Sequence, residues 1–223
     1  MPDISIQVGA GEQPNNAFPA IQLMVMLTLL AISPALLITL TSFTRIVVVL
    51  ALVRSAVGIP QIPPNQVLLG LSLFLSFFIM APTWNKVNED ALQPYVKGDI
   101  SQEEAIKRGE GPVRSFLLQH TREKDLGLFV SVAHIERPGT PSDVPTYCLI
   151  PAFVISELKT AFQMGFYIFV PFLIVDMVVA STLLSMGMMM LPPAVISLPF
   201  KLLLFTLVDG WHLVVKSLLL SFQ

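Results

Sequence analysis

Long apolar runs and one polar block alternate along the chain, and the runs are too long for strands. The first covers residues 20–53 and carries no charge until Arg45, after which Ile46, Val47, Val48, Val49 and Leu50 extend it. About 20 apolar residues suffice for a membrane-spanning helix. This run is longer and holds Pro34 and Arg45, so it predicts one long or kinked helix. Gly58, Pro60, Pro63, Pro64 and Asn65 follow as breakers. A second run, 67–80, has Gly70, Ser72 and Ser76 interleaved, and Ala81-Pro82 is expected to end it. The two runs make a first helical hairpin.

The pattern then turns polar. Residues 83–151 hold most of the charge and predict a small, water-facing helical domain. Ser101-Gln102-Glu103-Glu104 has the form of a capping box. A further helix is expected around 113–121, and Pro138, Gly139, Pro141 and Asp143 mark a loop. Apolar sequence returns in three stretches. Residues 153–161 read as amphipathic, with Glu157 and Lys159. Residues 164–190 read as a long apolar helix holding Pro171 and Asp176. After Leu191-Pro192-Pro193, residues 194–222 read as the last helix, with Lys201, Asp209, His212 and Lys216.

The expected fold is therefore all-α, with two long, proline-broken apolar hairpins flanking a soluble helical domain. The plan is a polar segment at 1–19, the first hairpin at 20–82, the soluble domain at 83–151 and the second hairpin at 152–223. Residues 1–19 contain Asp3 and Glu12 and lack a basic start followed by an apolar core, so no signal peptide is read there. Arg45 and Arg54 bracket the first turn and place it in the cytoplasm, with the soluble domain outside.

Composition sharpens this picture. Hydrophobic residues make up 54% and charged residues 13%, where a soluble domain carries about 25% charged. The mean hydropathy is +0.74. Such a chain belongs in lipid or buried against partners. A net charge of -2 leaves no basic footprint for nucleic acid. The lone Cys148 permits neither an internal disulfide nor a cysteine-rich metal site, and reads as a small buried hydrophobe. His120, His134 and His212 lie far apart without metal-ligand spacing, and adjacent Glu103 and Glu104 read as a solvated face. No nucleophile motif, zinc motif or phosphate loop is present. Enzymatic activity and a cofactor are not expected, and a membrane protease ranks last because no nucleophile and base can be paired.

Two features invite function. Arg45, Glu157, Lys159, Asp176, Lys201 and Asp209 interrupt greasy sequence. A charge at a bilayer centre costs about 2.5–3.5 kcal/mol. These groups must pair, face water or lie outside the hydrocarbon; alternatively Asp176 or Asp209 serves a proton relay in a small-solute or proton-coupled transporter. The second feature is Ser185-Met186-Gly187-Met188-Met189-Met190-Leu191-Pro192-Pro193. Methionine is flexible and adapts to irregular surfaces. The run is either ordinary packing or a deformable apolar constriction at a hairpin tip.

Several stretches together resemble one family. They are residues 41–50 (TSFTRIVVVL), 63–71 (PPNQVLLGL), 156–162 (SELKTAF), 171–181 (PFLIVDMVVAS), 186–190 (MGMMM), 196–205 (ISLPFKLLLF) and 207–211 (LVDGW). In this order they resemble the FliP family, the P-type subunit of the flagellar type III secretion export gate. The resemblance covers nearly everything from residue 20 onward. Phe43-Thr44-Arg45 and Asn65-Gln66-Val67 are more similar to flagellar members than to injectisome homologues. It implies a non-enzymatic channel subunit, five copies joining Q-type and R-type subunits in a helical, conical oligomer at the flagellar basal body. Unfolded flagellar axial proteins would pass through it, with other export-apparatus components supplying energy. It implies an inner-membrane location with the soluble domain on the periplasmic side, and apolar helices that bury one another. Met186, Met188, Met189 and Met190 would line the pore gate. Glu157 and Lys201 would form an ion pair between adjacent subunits. Phe116 and Phe129 would be subunit contacts or ordinary core.

Overall fold

The computed structural model of the chain describes residues 17–59, 61–135, 139–140, 143–188 and 190–223. It divides into two units, residues 1–37 and 38–223. The described part of the first unit is helix α1 (Ala17–Thr39) up to residue 37. This helix is apolar all round, holds no charged residue and continues through Pro34. Its described side chains from Ile21 to Leu36 are exposed.

The single helix expected over 20–53 is two. α1 stops at Thr39 and α2 (Phe43–Val57) starts after a gap of three residues. The break falls at a run of hydroxyls, and the hydroxyls explain it. Thr44 Oγ1 donates to the Ile38 carbonyl at 2.7 Å, and the Phe43 amide donates to Thr41 Oγ1 at 3.3 Å. Ser42 Oγ donates to Ser76 Oγ on α3 at 3.1 Å. Side chains thus take up backbone groups that the interrupted ladder leaves. Pro34 costs the helix a single donor and offers no such replacement.

α3 (Asn65–Val87) also overrides an expected stop. It passes through Pro82 and continues as a π-helical turn (Asn88–Leu92) and α4 (Gln93–Lys97). The whole runs 33 residues. Proline's fixed φ is itself helical, and Met80, just before it, is buried in the core. The end comes at Gly98, where a left-handed residue lets the Gly98 and Asp99 amides return to the Tyr95 and Pro94 carbonyls at 3.0 and 2.9 Å.

α5 (Gln102–His120) begins with half of the capping box. Ser101 Oγ accepts from the Glu104 amide at 3.3 Å, while the Glu104 carboxylate takes Arg108 Nε at 2.9 Å instead of reaching back. α6 (Glu123–Val132) follows. The two expected helices over 153–161 and 164–190 are one, α7 (Thr146–Ser185), 40 residues long with Pro151 and Pro171 inside. The expected last helix is broken instead. α8 (Pro193–Leu207) and α9 (Gly210–Leu220) meet at 61°. At the corner Asp209 is left-handed, with φ of 49°. A Cβ on Gly210 would lie 2.2 Å from the Phe205 ring, so only glycine allows this approach.

The core of the second unit lies where α7 packs on α2, α6, α8 and α5. Ile46, Val49, Leu50 and Val53 follow helical spacing on α2 and are fully buried with Ala161, Phe172, Phe205, Val214 and Leu218. Each such side chain contributes about 1.5–3 kcal/mol by leaving water. Met80, Phe116, Leu117, Leu149 and Phe153 form a second cluster, and Val130, Val144 and Cys148 a third.

Candidate functional site

Two ion pairs and one turn collect the residues that chemistry singles out. Arg45 on α2 and Glu157 on α7 form the deeper pair. Arg45 Nε donates to Glu157 Oε2 at 2.9 Å and Nη2 donates to Oε1. The Glu157 side chain has no exposed surface and Arg45 only 4%. A bidentate fork satisfies both carboxylate oxygens at once. Arg45 Nη1 donates further to the Ser221 carbonyl at 2.8 Å and to Ser221 Oγ at 3.0 Å.

The second pair joins α7 to α8. Lys201 Nζ donates to Asp176 Oδ2 at 2.6 Å and Ser197 Oγ donates to Asp176 Oδ1 at 2.5 Å. Lys201 is nearly buried, while Asp176 keeps a third of its side chain exposed. Within the chain, therefore, Glu157 and Lys201 are not brought together; each has its own partner. The Asp176–Lys201 pair is not among the sequence expectations, although the sequence holds a signal for it. The two residues are equidistant from the Met188–Met189 turn, so an antiparallel hairpin sets them side by side. Arg45 and Glu157 are separated by 112 positions, and no local spacing links them.

Between α7 and α8 stands the methionine turn. The Gly187 amide donates to the Leu184 carbonyl at 3.1 Å and the Met188 amide to the Leu183 carbonyl at 3.0 Å. This is a Schellman ending, and Gly187 supplies its left-handed residue with φ of 75°. It stops the helix at Ser185, which leaves Met186, Met188 and Met190 between the helix end and Pro192. Met186, Met188 and Met190 are exposed, Met190 to 98%. Met189 lies outside the described residues.

Phe116 is buried against Phe153 and Phe222, and Phe129 packs partly buried beside Val130 and Cys148. His120 stands next to this cluster. Its Nδ1 lies 2.8 Å from the Phe116 carbonyl. Burial pushes the imidazole below its usual value, and Arg45 adds to this against hydrogen bonding to the Phe116 and Phe222 carbonyls. At the start of α6, burial pushes the Asp125 carboxyl up, but the Ser156 hydroxyl and Arg122 outweigh it and hold it low. Among the described residues no three His, Cys, Asp or Glu side chains gather closely enough to hold a metal ion.

Apolar surface surrounds these features. Asn65–Lys97 and Thr146–Ser185 are each long and apolar enough to cross a membrane, and the bent pair α8–α9 together would make a third such element. In the most apolar stretch of α7 only 11% is buried within the chain. Phe74, Phe77 and Phe78 on α3 and Phe166, Tyr167 and Met177 on α7 are all exposed.

Comparison with known proteins gives a consistent result. A sequence model described as the FliP family matches residues 26–218. The flagellar biosynthetic protein FliP of Bacillus subtilis (strain 168) is 54% identical over 217 residues, covering 97% of this chain and 98% of that one. Its namesake in Aquifex aeolicus (strain VF5) is 52% identical, covering 100% of this chain and 92% of that one. The one in Pectobacterium carotovorum subsp. carotovorum is 58% identical over 203 residues, covering 91% of this chain and 79% of that one.

Proposed function

This chain belongs to the FliP family, and on that premise we propose that it is a core subunit of the flagellar type III export gate. With further copies of itself, five in all, and with Q-type and R-type subunits, it forms a conical channel through which unfolded flagellar axial proteins leave the cell. It works in the inner membrane at the flagellar basal body, its 83–151 region on the periplasmic side, and carries out no chemistry of its own. The carrying observation is the near end-to-end likeness to proteins named for flagellar biosynthesis. That name fits an export component and does not fit a solute transporter.

The geometry supports the same reading. The chain buries the Arg45–Glu157 pair internally and leaves much of its long apolar helices uncovered. Such surface needs lipid or neighbouring subunits. The methionine turn, exposed at a helix end and adaptable in shape, suits the pore gate at Met186, Met188, Met189 and Met190. With Glu157 and Lys201 already paired within the chain, an ion pair between subunits would draw on the outer side of these clusters or exchange partners as copies join. Phe116 and Phe129 would act on subunit contacts through the core they fill.

Complementation tests the proposal. The chain, expressed in a Bacillus subtilis strain lacking its own FliP, restores motility and secretion of flagellar axial proteins. Full membrane incorporation with neither restored would refute it.

A further inference from the structure

Three charged groups between the start of α7 and the end of α9 stay outside the two ion pairs: Lys159, Asp209 and Lys216. All three are exposed. Lys159 has no hydrogen bond or ion pair among the described residues. Asp125 feels its charge but gives its own carboxylate to Arg122 and Ser156. Lys159 lines a groove of about 390 Å3 together with Phe162, Gln163, Phe166 and Tyr167. The groove thus offers one cation and three aromatic rings. An occupant that satisfies both carries a carboxylate with apolar side chains beside it.

The corner between α8 and α9 has that composition. Leu207, Val208 and Asp209 are all exposed there, at a bend of 61°. Asp209 is left-handed, and its carboxylate neither caps α9 nor joins an ion pair among the described residues. A side chain held in so costly a conformation is commonly found where it has a task. Glu89 and Asp90 are exposed carboxylates too, but they stand between Asn88 and the buried Ala91, without apolar side chains to offer. Within its own chain the corner is out of reach of Lys159. Val208 borders the same cavity as Tyr167 and Pro171. These lie two to three helical turns beyond Lys159 on α7, a distance on the order of 12–18 Å.

We propose that the groove at Lys159 receives the α8–α9 corner of a second copy of the chain, with Asp209 of that copy paired to Lys159. Leu207 and Val208 then cover the rings of Phe162, Phe166 and Tyr167. Two different faces meet in this contact, so it is head-to-tail and repeats from copy to copy. The incoming copy is shifted along α7 as well as turned, and such an operation builds a helical succession of subunits rather than a flat ring. The proposal rests on the reading of the chain as a subunit of an oligomer, and it names the surfaces by which the copies join.

The test co-expresses two differently tagged versions of the full chain, one with Lys159→Cys and one with Asp209→Cys, and purifies them in detergent through both tags. Cys148 is buried and stays out of the reaction. A short bismaleimide is expected to join the two versions in a mixed dimer. Its yield should be severalfold above that from Lys216→Cys with Asp209→Cys. Tags that co-purify without the mixed dimer, or an equal yield from Lys216→Cys, overturn the proposal and leave the oligomer standing. Parent chains whose tags do not co-purify overturn both. Should the cysteine versions fail to associate, charge reversal decides. Lys159→Asp and Asp209→Lys should each lower recovery of the second tag severalfold, and the chain carrying both changes should restore it. Unchanged recovery in the single variants, or none regained in the double, overturns the proposal.

Discussion

At the scale of single residues, the structure is governed by where charge is left when apolar helices pack. Glu157 and Arg45 share a buried site, and each offsets the other's charge there. Removing one partner of such a pair strands a buried charge, at a cost of about 3–5 kcal/mol. Glu157→Ala and Arg45→Ala are therefore expected to lower the unfolding midpoint in detergent by a large margin, with a joint replacement by Met and Leu recovering much of the loss. Singles that unfold like the parent would mean the pair is not closed in solution. His120 adds a dependence on pH. Its folded-state value lies below the ordinary 6.5, so the unfolded chain takes up the proton first. Stability is full above that ordinary value and declines as the pH falls toward the folded one. The unfolding midpoint of the parent should drop between about pH 7.5 and about pH 5.5 by more than that of His120→Gln; equal drops would exonerate the imidazole. Sequence reading leaves the charges at 45, 157, 176 and 201 to pair, face water or lie outside the hydrocarbon, and the structure pairs all four. The hairpin's symmetry holds a signal for Asp176 with Lys201, but the Arg45–Glu157 match depends on how α2 docks along α7, which no spacing encodes.

At the scale of elements, helix type was plain and helix ends were not. Every apolar run became a helix because its length and composition admit little else. One misplaced end has proline as its cause: Ala81-Pro82 is expected to end a helix that in fact continues. Pro34, Pro82 and Pro171 all lie inside helices. A proline removes one donor, whereas ending a helix requires something to take the freed groups. The hydroxyls of Thr41 and Thr44 do this at the start of α2, and Gly187 does it after α7. Gly187→Ala should consequently cost about 1–2 kcal/mol, since a side chain is forced into a left-handed residue. Hydrogen exchange at the end of α7 reports it: faster exchange at Met186 to Met188 is expected, and unchanged protection there would deny the Schellman ending its part. Length also has a meaning. At 40 residues α7 extends about 60 Å, roughly twice the hydrocarbon core of a bilayer. Its first half carries Glu157 and packs on α5 and α6, so this helix joins the polar region to the methionine turn as one rod.

At the scale of the whole molecule, the folded chain is unfinished. Arg45 with Glu157 and Lys201 with Asp176 pair within it, but Phe74, Phe77, Phe166 and Tyr167 on α3 and α7 are left exposed. Other copies of the chain, arranged about a common axis, would cover them, and that arrangement would bring the methionine turns to one place. Replacing Met188, Met189 and Met190 together by Ala should leave assembly intact and let small ions leak through the closed gate. Wild-type ion flux in an assembled variant would remove the turn from the seal. The most direct measurement of the central claim is electron cryomicroscopy of the detergent-purified particle with its co-purifying subunits. Several copies around an axis, with the residues from Met186 to Met190 converging on it, are predicted. A functional single copy, or methionine turns pointing outward from the particle, would contradict the account.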